Sequence, residues 1–348
     1  MTGPRTFGFG ICGLGLIAEF HAQAIARMRG ARLAGVVSRD PVKTGAFARK
    51  HGAEAATDLE DLLARPGIDI VCITTPSGAH LEPAVAAIRA GKHVVIEKPI
   101  EITLDRVDRI LEAGRVAGVW VVPIFQSRFG DGARAVKASI EAGRLGRLVL
   151  ASAYVKWHRA AKYYTPPRGR MAHDGGGALM NQAIHGLDLL QWFAGMPEEV
   201  FCWSAQRIHV GLEVEDTASA ALKFGSGALG AVEATTAVWP GWQRRLELCG
   251  ENGSVALEDD LIARWDFPTG RAEDEDLRMA KDTAGFGSGA SAPDAINFLG
   301  HQRQLQDLVD ALRDGREPAL VGAEGRKAVA LAAALYASAR TGKPVRIP

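Results

Sequence analysis

The sequence predicts an α/β protein in two parts: a doubly wound parallel sheet over residues 1–124, then an α+β part over 125–348 built on a large open, mainly antiparallel sheet. Three observations predict it. Short apolar runs alternate with helical patterns from Thr6 to Pro123; strand-like runs follow one another across Gly-containing turns after Pro123; and 348 residues suit two domains of roughly 100–200 residues each.

In the first part the strands are FGFGIC (Phe7–Cys12), RLAGVV (Arg32–Val37), DIVCIT (Asp69–Thr74), HVVIE (His93–Glu97) and VWVVP (Val119–Pro123), with helical segments such as Ile17–Arg29 and Ala79–Ala90 between them. Strand and helix in alternation imply a parallel sheet covered on both faces. Asp40 followed by Pro41 suits an N-cap and first helical position, and Gly91 and Gly118 suit helix ends.

The second part opens on a helix near Asp131–Ala142. It continues with the runs LVLASAYVKW, VFCWSAQRI, TASAALKF, ALGAVEATTAV and RLELCG, joined by turns such as Gly225-Ser226-Gly227 and Glu251-Asn252-Gly253. One helix, from about Leu179 to Trp192, interrupts the strands after Gly175-Gly176-Gly177. Gly270–Ala292, rich in Gly, Ser, Ala and charge, reads as a long surface loop, and the last ~50 residues return to helical periodicity.

Charge excludes some partners. With 41 Lys+Arg against 40 Asp+Glu the net charge is +1, which gives no footprint for nucleic acid or an acidic membrane and leaves a small molecule as the expected ligand. The longest apolar run, Ala328–Ala337, is too short to span a bilayer, and MTGPRTFGFG has no secretory pattern. Cys12, Cys72, Cys202 and Cys249 are far apart with no C-x-x-C, which suits reduced packing residues and a cytoplasmic setting.

Gly13-Leu14-Gly15-Leu16-Ile17-Ala18 reads G-x-G-x-x-A directly after the first strand and before an apolar-periodic helix. Gly13 permits the tight turn, Gly15 lets the backbone approach a pyrophosphate, and Ala18 keeps helix and strand close: a Rossmann fingerprint. The ribose position falls at Ser38-Arg39-Asp40. Ser38 stands where NAD enzymes usually place an acid, and Arg39 suits a 2′-phosphate, so the balance tips toward NADP; with Arg39 a solvated loop residue and Asp40 a helix cap, NAD stays acceptable.

Two constellations carry candidate chemistry. Glu97-Lys98-Pro99 ends the fifth strand at the carboxyl edge of the sheet, where open α/β folds bind ligands, and Lys98 there suits stabilisation of an alkoxide. In GGGALMNQAIHGLDLLQW, helical spacing puts Asn181, His185 and Asp188 on one face, and the His185 imidazole suits acceptance of a hydroxyl proton; a core histidine oriented by Asp188 is the structural alternative. No metal-ligand spacing stands out. Trp157-His158-Arg159 and Lys162-Tyr163-Tyr164 supply donors and aromatic faces suited to a polyhydroxylated ligand or to an exposed loop.

With these motifs in order, the chain resembles the glucose-fructose oxidoreductase/inositol dehydrogenase/rhizopine catabolism (Gfo/Idh/MocA) family over nearly its whole length, through Glu213–Ala218 to Ser338–Val345. The resemblance implies an N-terminal Rossmann domain and a C-terminal domain whose open sheet mediates homodimers or homotetramers. It implies that Gly13, Gly15, Leu16 and Ile17 hold the pyrophosphate and that Ser38 and Arg39 hold the adenosine ribose. Thr75, Pro76, His80, Glu97 and Lys98 then lie along the nicotinamide half, with Gln126 near the ring. Lys98 and His185 match the catalytic pair, and Arg159, Tyr163 and Asn181 join them as substrate contacts; Asn181 stands where many inositol dehydrogenase-like members carry Asp.

The activity so implied is oxidation of a secondary ring hydroxyl, often at C3, of a sugar, sugar derivative or cyclitol by hydride transfer to NAD(P). Two alternatives come from the same family: a glycoside hydrolase that oxidises C3 transiently with a retained NAD, and a non-enzymatic cofactor-binding regulator.

Overall fold

The computed structural model describes residues 5–279, 289–291 and 297–347. Contacts divide the chain into two units, one ending at Gln126 and joined by Phe298–Arg326, the other made of Ser127–Asn297 and the chain from Lys327.

In the first unit the strands β1 (Phe7–Cys12), β2 (Ala31–Val37), β3 (Glu54–Ala55), β4 (Ile70–Ile73), β5 (His93–Ile96) and β6 (Val121–Pro123) are parallel, in the order β3-β2-β1-β4-β5-β6. This is the doubly wound order of a dinucleotide-binding sheet, with its switch point between β1 and β4. Helices α1 (Leu16–Ala26), α2 (Pro41–His51), α3 (Leu59–Ala64), α4 (Leu81–Arg89) and α5 (Leu104–Ala117) connect the strands. Phe9, Ile11, Ile70, Cys72 and Val95 are wholly buried, as strands covered on both faces require. Asp40 caps α2 by accepting from Val42 N and Lys43 N, and Gly118, at φ 66°, closes α5.

The second unit holds α6 (Asp131–Glu141), β7 (Leu148–Lys156), α7 (Met171–Asp174), α8 (Ile184–Ala194), β8 (Pro197–Ala205), β9 (Thr217–Phe224), β10 (Leu229–Thr235), β11 (Arg245–Gly250), β12 (Gly253–Glu258), β13 (Leu261–Asp266) and α9 (Glu273–Met279). Its eight-stranded sheet runs β13-β12-β11-β7-β10-β9-β8-β14, where β14 is Val345–Arg346. Among these pairs only β7 and β10 are parallel, so the sheet is open and mainly antiparallel as expected. Buried Ala218, Ala220, Leu222 and Phe224 alternate along β9 with exposed Ser219, Ala221 and Lys223, the signature of a sheet covered on one face. α8 packs against β7 and β11. Trp203, Leu229 and Leu150 are exposed.

The C-terminal chain departs from the division at residue 124. α10 (Leu299–Asp314) belongs to the first unit, where Leu305, Leu308 and Val309 join the core formed by Phe9, Ile25 and Val36, and the boundary back to the second unit falls inside α11 (Gly322–Thr341). Each of those three side chains contributes roughly 1.5–3 kcal/mol on burial. Helical periodicity reveals an apolar face but not which sheet covers it. Among the described residues, no helix is long and apolar enough to cross a membrane, and the four cysteines are free.

The stretch expected as one loop over Gly270–Ala292 instead contains α9; residues 280–288 and Ala292 lie outside the described residues. α9 has no apolar stripe to announce it, since its first turn is Glu273-Asp274-Glu275-Asp276. It is fixed by Asp274, whose carboxylate accepts from Arg144 at 2.6 and 2.7 Å, Trp265 Nε1 at 2.7 Å and Arg271 N at 2.8 Å.

The Arg144 hydrogen bonds hold the Asp274 carboxyl far below its ordinary value, against burial, with help from Trp265 and Arg271. The depressed value means this stabilisation is complete above the unfolded carboxyl pKa of about 3.9 and is lost as pH falls toward the folded value. Asp274→Asn is expected to cost about 3–5 kcal/mol at neutral pH and about 1 kcal/mol less at pH 3. Urea unfolding followed by tryptophan fluorescence at pH 7 and pH 3 checks both.

Candidate active site

In the first unit β1 runs into α1 through Gly13 and Gly15. Gly13 has φ 95°, and a Cβ there would lie 2.8 Å from the Thr74 carbonyl carbon and the Thr75 nitrogen, so only glycine fits between the ends of β1 and β4. At Gly15, the N-cap of α1, a Cβ would meet nothing within 4 Å, and no side chain caps the helix. The amides of Leu16 and Ile17 therefore begin a helix whose positive end opens on empty space, the arrangement that receives a phosphate. Leu16 is exposed there.

At the end of β2, Ser38 is tied into its own turn: its hydroxyl meets Thr44 Oγ1 at 2.9 Å and donates to the Asp40 carbonyl at 3.1 Å, while Arg39 is exposed. After β4, Thr75 Oγ1 donates to Ala79 O at 2.8 Å, and Pro76 opens a short 3-10 turn. Buried His80 bridges two loops, with Nε2 2.9 Å from Thr75 O and Nδ1 3.0 Å from Pro99 O.

The Glu97-Lys98-Pro99 turn is braced from both sides. Glu97 Oε1 receives His21 Nε2 at 2.7 Å and His301 Nε2 at 3.2 Å, and Oε2 accepts from Lys98 N at 3.2 Å. Burial pushes the Glu97 carboxyl upward, but the two imidazoles outweigh it and hold the group well below its ordinary value. Lys98-Pro99 is a cis peptide. Gln126 is buried, and its Oε1 has no hydrogen-bond partner among the described residues.

In the second unit the expected single helix over 179–192 is two pieces. A π-helical turn, Ala178–Gln182, precedes α8, so Asn181 stands on the π turn and His185 on the first turn of α8. The opening is capped from a distance: Glu215 accepts from Gly177 N and Leu179 N, both at 2.9 Å, and from Tyr336 Oη at 2.9 Å. Burial pushes the Glu215 carboxyl up, and these donors pull it back. A Cβ on Gly177 would sit 1.6 Å from Glu215 O, which explains the glycine at that position.

His185 is buried. Asp188, expected on the same face, is engaged by Arg128, which donates to it at 2.8 and 2.7 Å in a buried bidentate pair. Asp188 thereby anchors α8 to the segment after β6. Arg159 is buried and donates to the carbonyls of His158 at 2.7 Å, Gly289 at 2.7 Å and Ala290 at 3.2 Å, leaving Nε without a partner among the described residues. Tyr163 accepts from Gln182 Nε2 at 3.2 Å, and its ring lies beneath the Arg168 guanidinium.

The first unit carries Gly13, Ser38, Thr75 and Lys98 just after the carboxyl ends of β1, β2, β4 and β5, and in the second Tyr163 meets Gln182 on the π turn. Sequence reasoning missed His21, His301, Arg128, Glu215 and Tyr336, all of which act on residues it did single out. The GxGxxA helix and the EVEDTA stretch contain His21 and Glu215, but their partners lie scores of residues away, and no local spacing signals the pairing.

A Rossmann unit with an uncapped glycine turn, joined to a mixed-sheet unit carrying a buried helical histidine, defines a dinucleotide-dependent oxidoreductase acting on CH–OH groups. Residues 7–125 match the oxidoreductase family with an NAD-binding Rossmann fold, and residues 133–256 match the GFO/IDH/MocA C-terminal domain. The chain belongs to the Gfo/Idh/MocA family. It is 32% identical to the WlbA dehydrogenase of Bordetella pertussis, solved with NADH and UDP-GlcNAcA, with a TM-score of 0.88 over 99% of this chain and 98% of that one. It is 25% identical over 348 residues to the myo-inositol 2-dehydrogenase of Thermotoga maritima, covering 97% of this chain and 98% of the relative. Over 350 residues it is 26% identical to the inositol 2-dehydrogenase of Rhizobium meliloti, covering 98% and 99%.

Glu215→Gln puts an amide NH₂ where two backbone N–H groups and a hydroxyl need acceptors. The expected loss is about 1–3 kcal/mol of stability, read by chemical denaturation, with turnover falling as the start of α8 loosens. An unchanged midpoint would show that the cap is dispensable.

Proposed function

We propose that the protein is an NAD(P)-dependent dehydrogenase that oxidises a secondary ring hydroxyl of a sugar, sugar derivative or cyclitol, with C3 the position favoured on a sugar ring. The observation that carries the reading is the braced Lys98 turn at the carboxyl end of β5, in the unit whose α1 N-terminus is open. The UDP-sugar held by WlbA and the inositols in the names of the other relatives support a polyhydroxylated ring. Because those relatives are named as dehydrogenases, net oxidation is favoured over transient-oxidation hydrolysis or regulation.

The same reading assigns the cofactor's residues. The turn Gly13, Gly15, Leu16 and Ile17 presents backbone N–H groups to the pyrophosphate, and the space at Gly15 admits it. Ser38 and Arg39 take the adenosine ribose, Thr75, Pro76, His80 and Glu97 border the nicotinamide half, and Gln126 Oε1 offers an acceptor to an amide N–H. The nicotinamide, when bound, supplies the hydride acceptor.

The chain's own chemistry is proton and charge management. Lys98 holds the reacting oxygen and stabilises negative charge on it as the C–H bond breaks. His185 takes the hydroxyl proton, a role suited to an imidazole near neutrality and to the rigid placement of α8 through Asp188 and Arg128. Asn181, Tyr163 and the Nε–H of Arg159 orient the remaining hydroxyls.

Absence of an acid at residue 38 and an exposed guanidinium at residue 39 favour NADP; the NADH held by WlbA favours NAD as the second reading. Absorbance at 340 nm against a panel of sugars, sugar nucleotides, anhydrosugars and inositols decides the activity. Substrate-dependent reduction is expected, reduced about 10²-fold or more in Lys98→Ala and in His185→Ala. Arg39→Ala is expected to lower kcat/KM with NADP about tenfold and leave NAD unaffected. No net reduction with any panel member, or full activity in either catalytic variant, would refute the proposal.

The same reading extends to a homodimer or homotetramer joined through the open face of the eight-stranded sheet, where Trp203, Leu229 and Leu150 are exposed. Light scattering is expected to give a multiple of 37.0 kDa for the native chain and a smaller assembly for Trp203→Glu. A native mass of one chain would end it.

A further inference from the structure

A buried knot of three titratable side chains lies within the first unit. His21 on α1 and His301 on α10 direct Nε2 at the same oxygen, Glu97 Oε1, and their rings meet edge to face with centroids 5.2 Å apart. All three residues are buried, and their donor atoms lie within 4.8 Å of one another. Two imidazoles and a carboxylate are also the donor set of many divalent metal sites.

The Nδ1 atoms distinguish a metal site from a hydrogen-bonded one. An imidazole that binds a metal through Nε2 carries its proton on Nδ1, where a carboxylate or carbonyl normally accepts it. Here Nδ1 of His21 and Nδ1 of His301 are both buried without a hydrogen-bond partner among the described residues. A metal would strand two buried N–H groups. With Nε2 protonated instead, each ring donates to Glu97 and leaves only a lone pair unmatched, and stranded acceptors are better tolerated than stranded donors. Burial pushes the His21 imidazole toward its neutral form, in keeping with this arrangement.

We propose that His21 and His301 are positioning residues for Lys98: as Nε2–H donors they hold Glu97 as a buried carboxylate, and Glu97 in turn fixes the backbone at Lys98. The proposal rests on the role given to Lys98 above. His301 arrives on α10, and one turn further on Gln304 braces the next strand end, accepting from Phe125 N at 3.1 Å and donating to Pro123 O at 2.7 Å. α10 therefore sets the ends of both β5 and β6.

The test is a double-mutant cycle in the full-length enzyme with saturating cofactor and substrate. His301→Phe is expected to lower kcat at least about tenfold while cofactor affinity stays within about twofold, and His301→Gln, which retains an N–H donor, is expected to recover most of the loss. In a Lys98→Ala background His301→Phe is expected to cost nothing more. An equal loss in that background would overturn the proposal by showing that His301 acts on something other than Lys98. Full turnover by Lys98→Ala alone would instead refute the role of Lys98 itself, a separate failure. Two measurements on the unmutated enzyme need no variant to fold. Long-range ¹H–¹⁵N spectra of histidine-labelled protein are expected to show Nε2–H tautomers at His21 and His301, and elemental analysis is expected to find no stoichiometric metal. Nδ1–H tautomers, or one bound divalent ion per chain, would overturn the hydrogen-bonded reading.

Discussion

Where parallel strands end together at the carboxyl edge of a sheet, the ladder stops and their last backbone groups must find other partners. In this protein the handover is graded. Glu97 N still reaches Ile73 O at 3.0 Å and Ile124 N still reaches Ile96 O at 2.8 Å, one step beyond the strands proper. Past that point side chains take over: Glu97 receives Lys98 N, His80 meets Pro99 O, and Gln304 serves Pro123 and Phe125. The turn that carries Lys98 is thus fixed by groups that exist to complete backbone hydrogen bonding, and the chemistry proposed for Lys98 inherits that rigidity.

Helix starts show the same rule applied in two senses. The amides that open α1 are left with no side-chain cap and face open space at Gly15, which keeps a positive end available to a ligand. The π turn leading into α8 is sealed by Glu215 and Tyr336, so its donors are consumed inside the protein. One helix start is left open and the other is a mount for His185. Both are preceded by glycines, and glycine spacing alone separates them poorly; the difference lies in what the rest of the chain brings to them.

This explains which parts were legible in the sequence. Strands buried on both faces, the G-x-G-x-x-A turn, the Asp40-Pro41 cap and the Gly118 helix end are local patterns, each set by residues within a few positions of one another. The parallel pairing of β7 with β10, the Arg128–Asp188 pair and the Glu215 cap depend on partners 79, 60 and 36 residues apart, and a single sequence has no period that encodes them. α9 escaped because ion pairing rather than apolar burial holds it. α10 was visible as a helix but not as part of the dinucleotide unit, since Leu305, Leu308 and Val309 fit any apolar surface. Lys98 and His185 could be picked out because their surroundings are motifs; their supports could not.

The return of 298–326 to the first unit also orders events during synthesis. Chains grow from the N-terminus and domains fold as units while they emerge. Here the sheet of the dinucleotide unit is complete by Pro123, yet the helix that covers α1 and brings His301 to Glu97 lies beyond almost the whole of the other unit. The nascent Rossmann half must wait, with part of its apolar surface bare, until the ribosome has made some 170 further residues between Gln126 and Phe298. The cofactor-binding half begins first and is finished late, so a truncated product cannot carry a completed Lys98 turn.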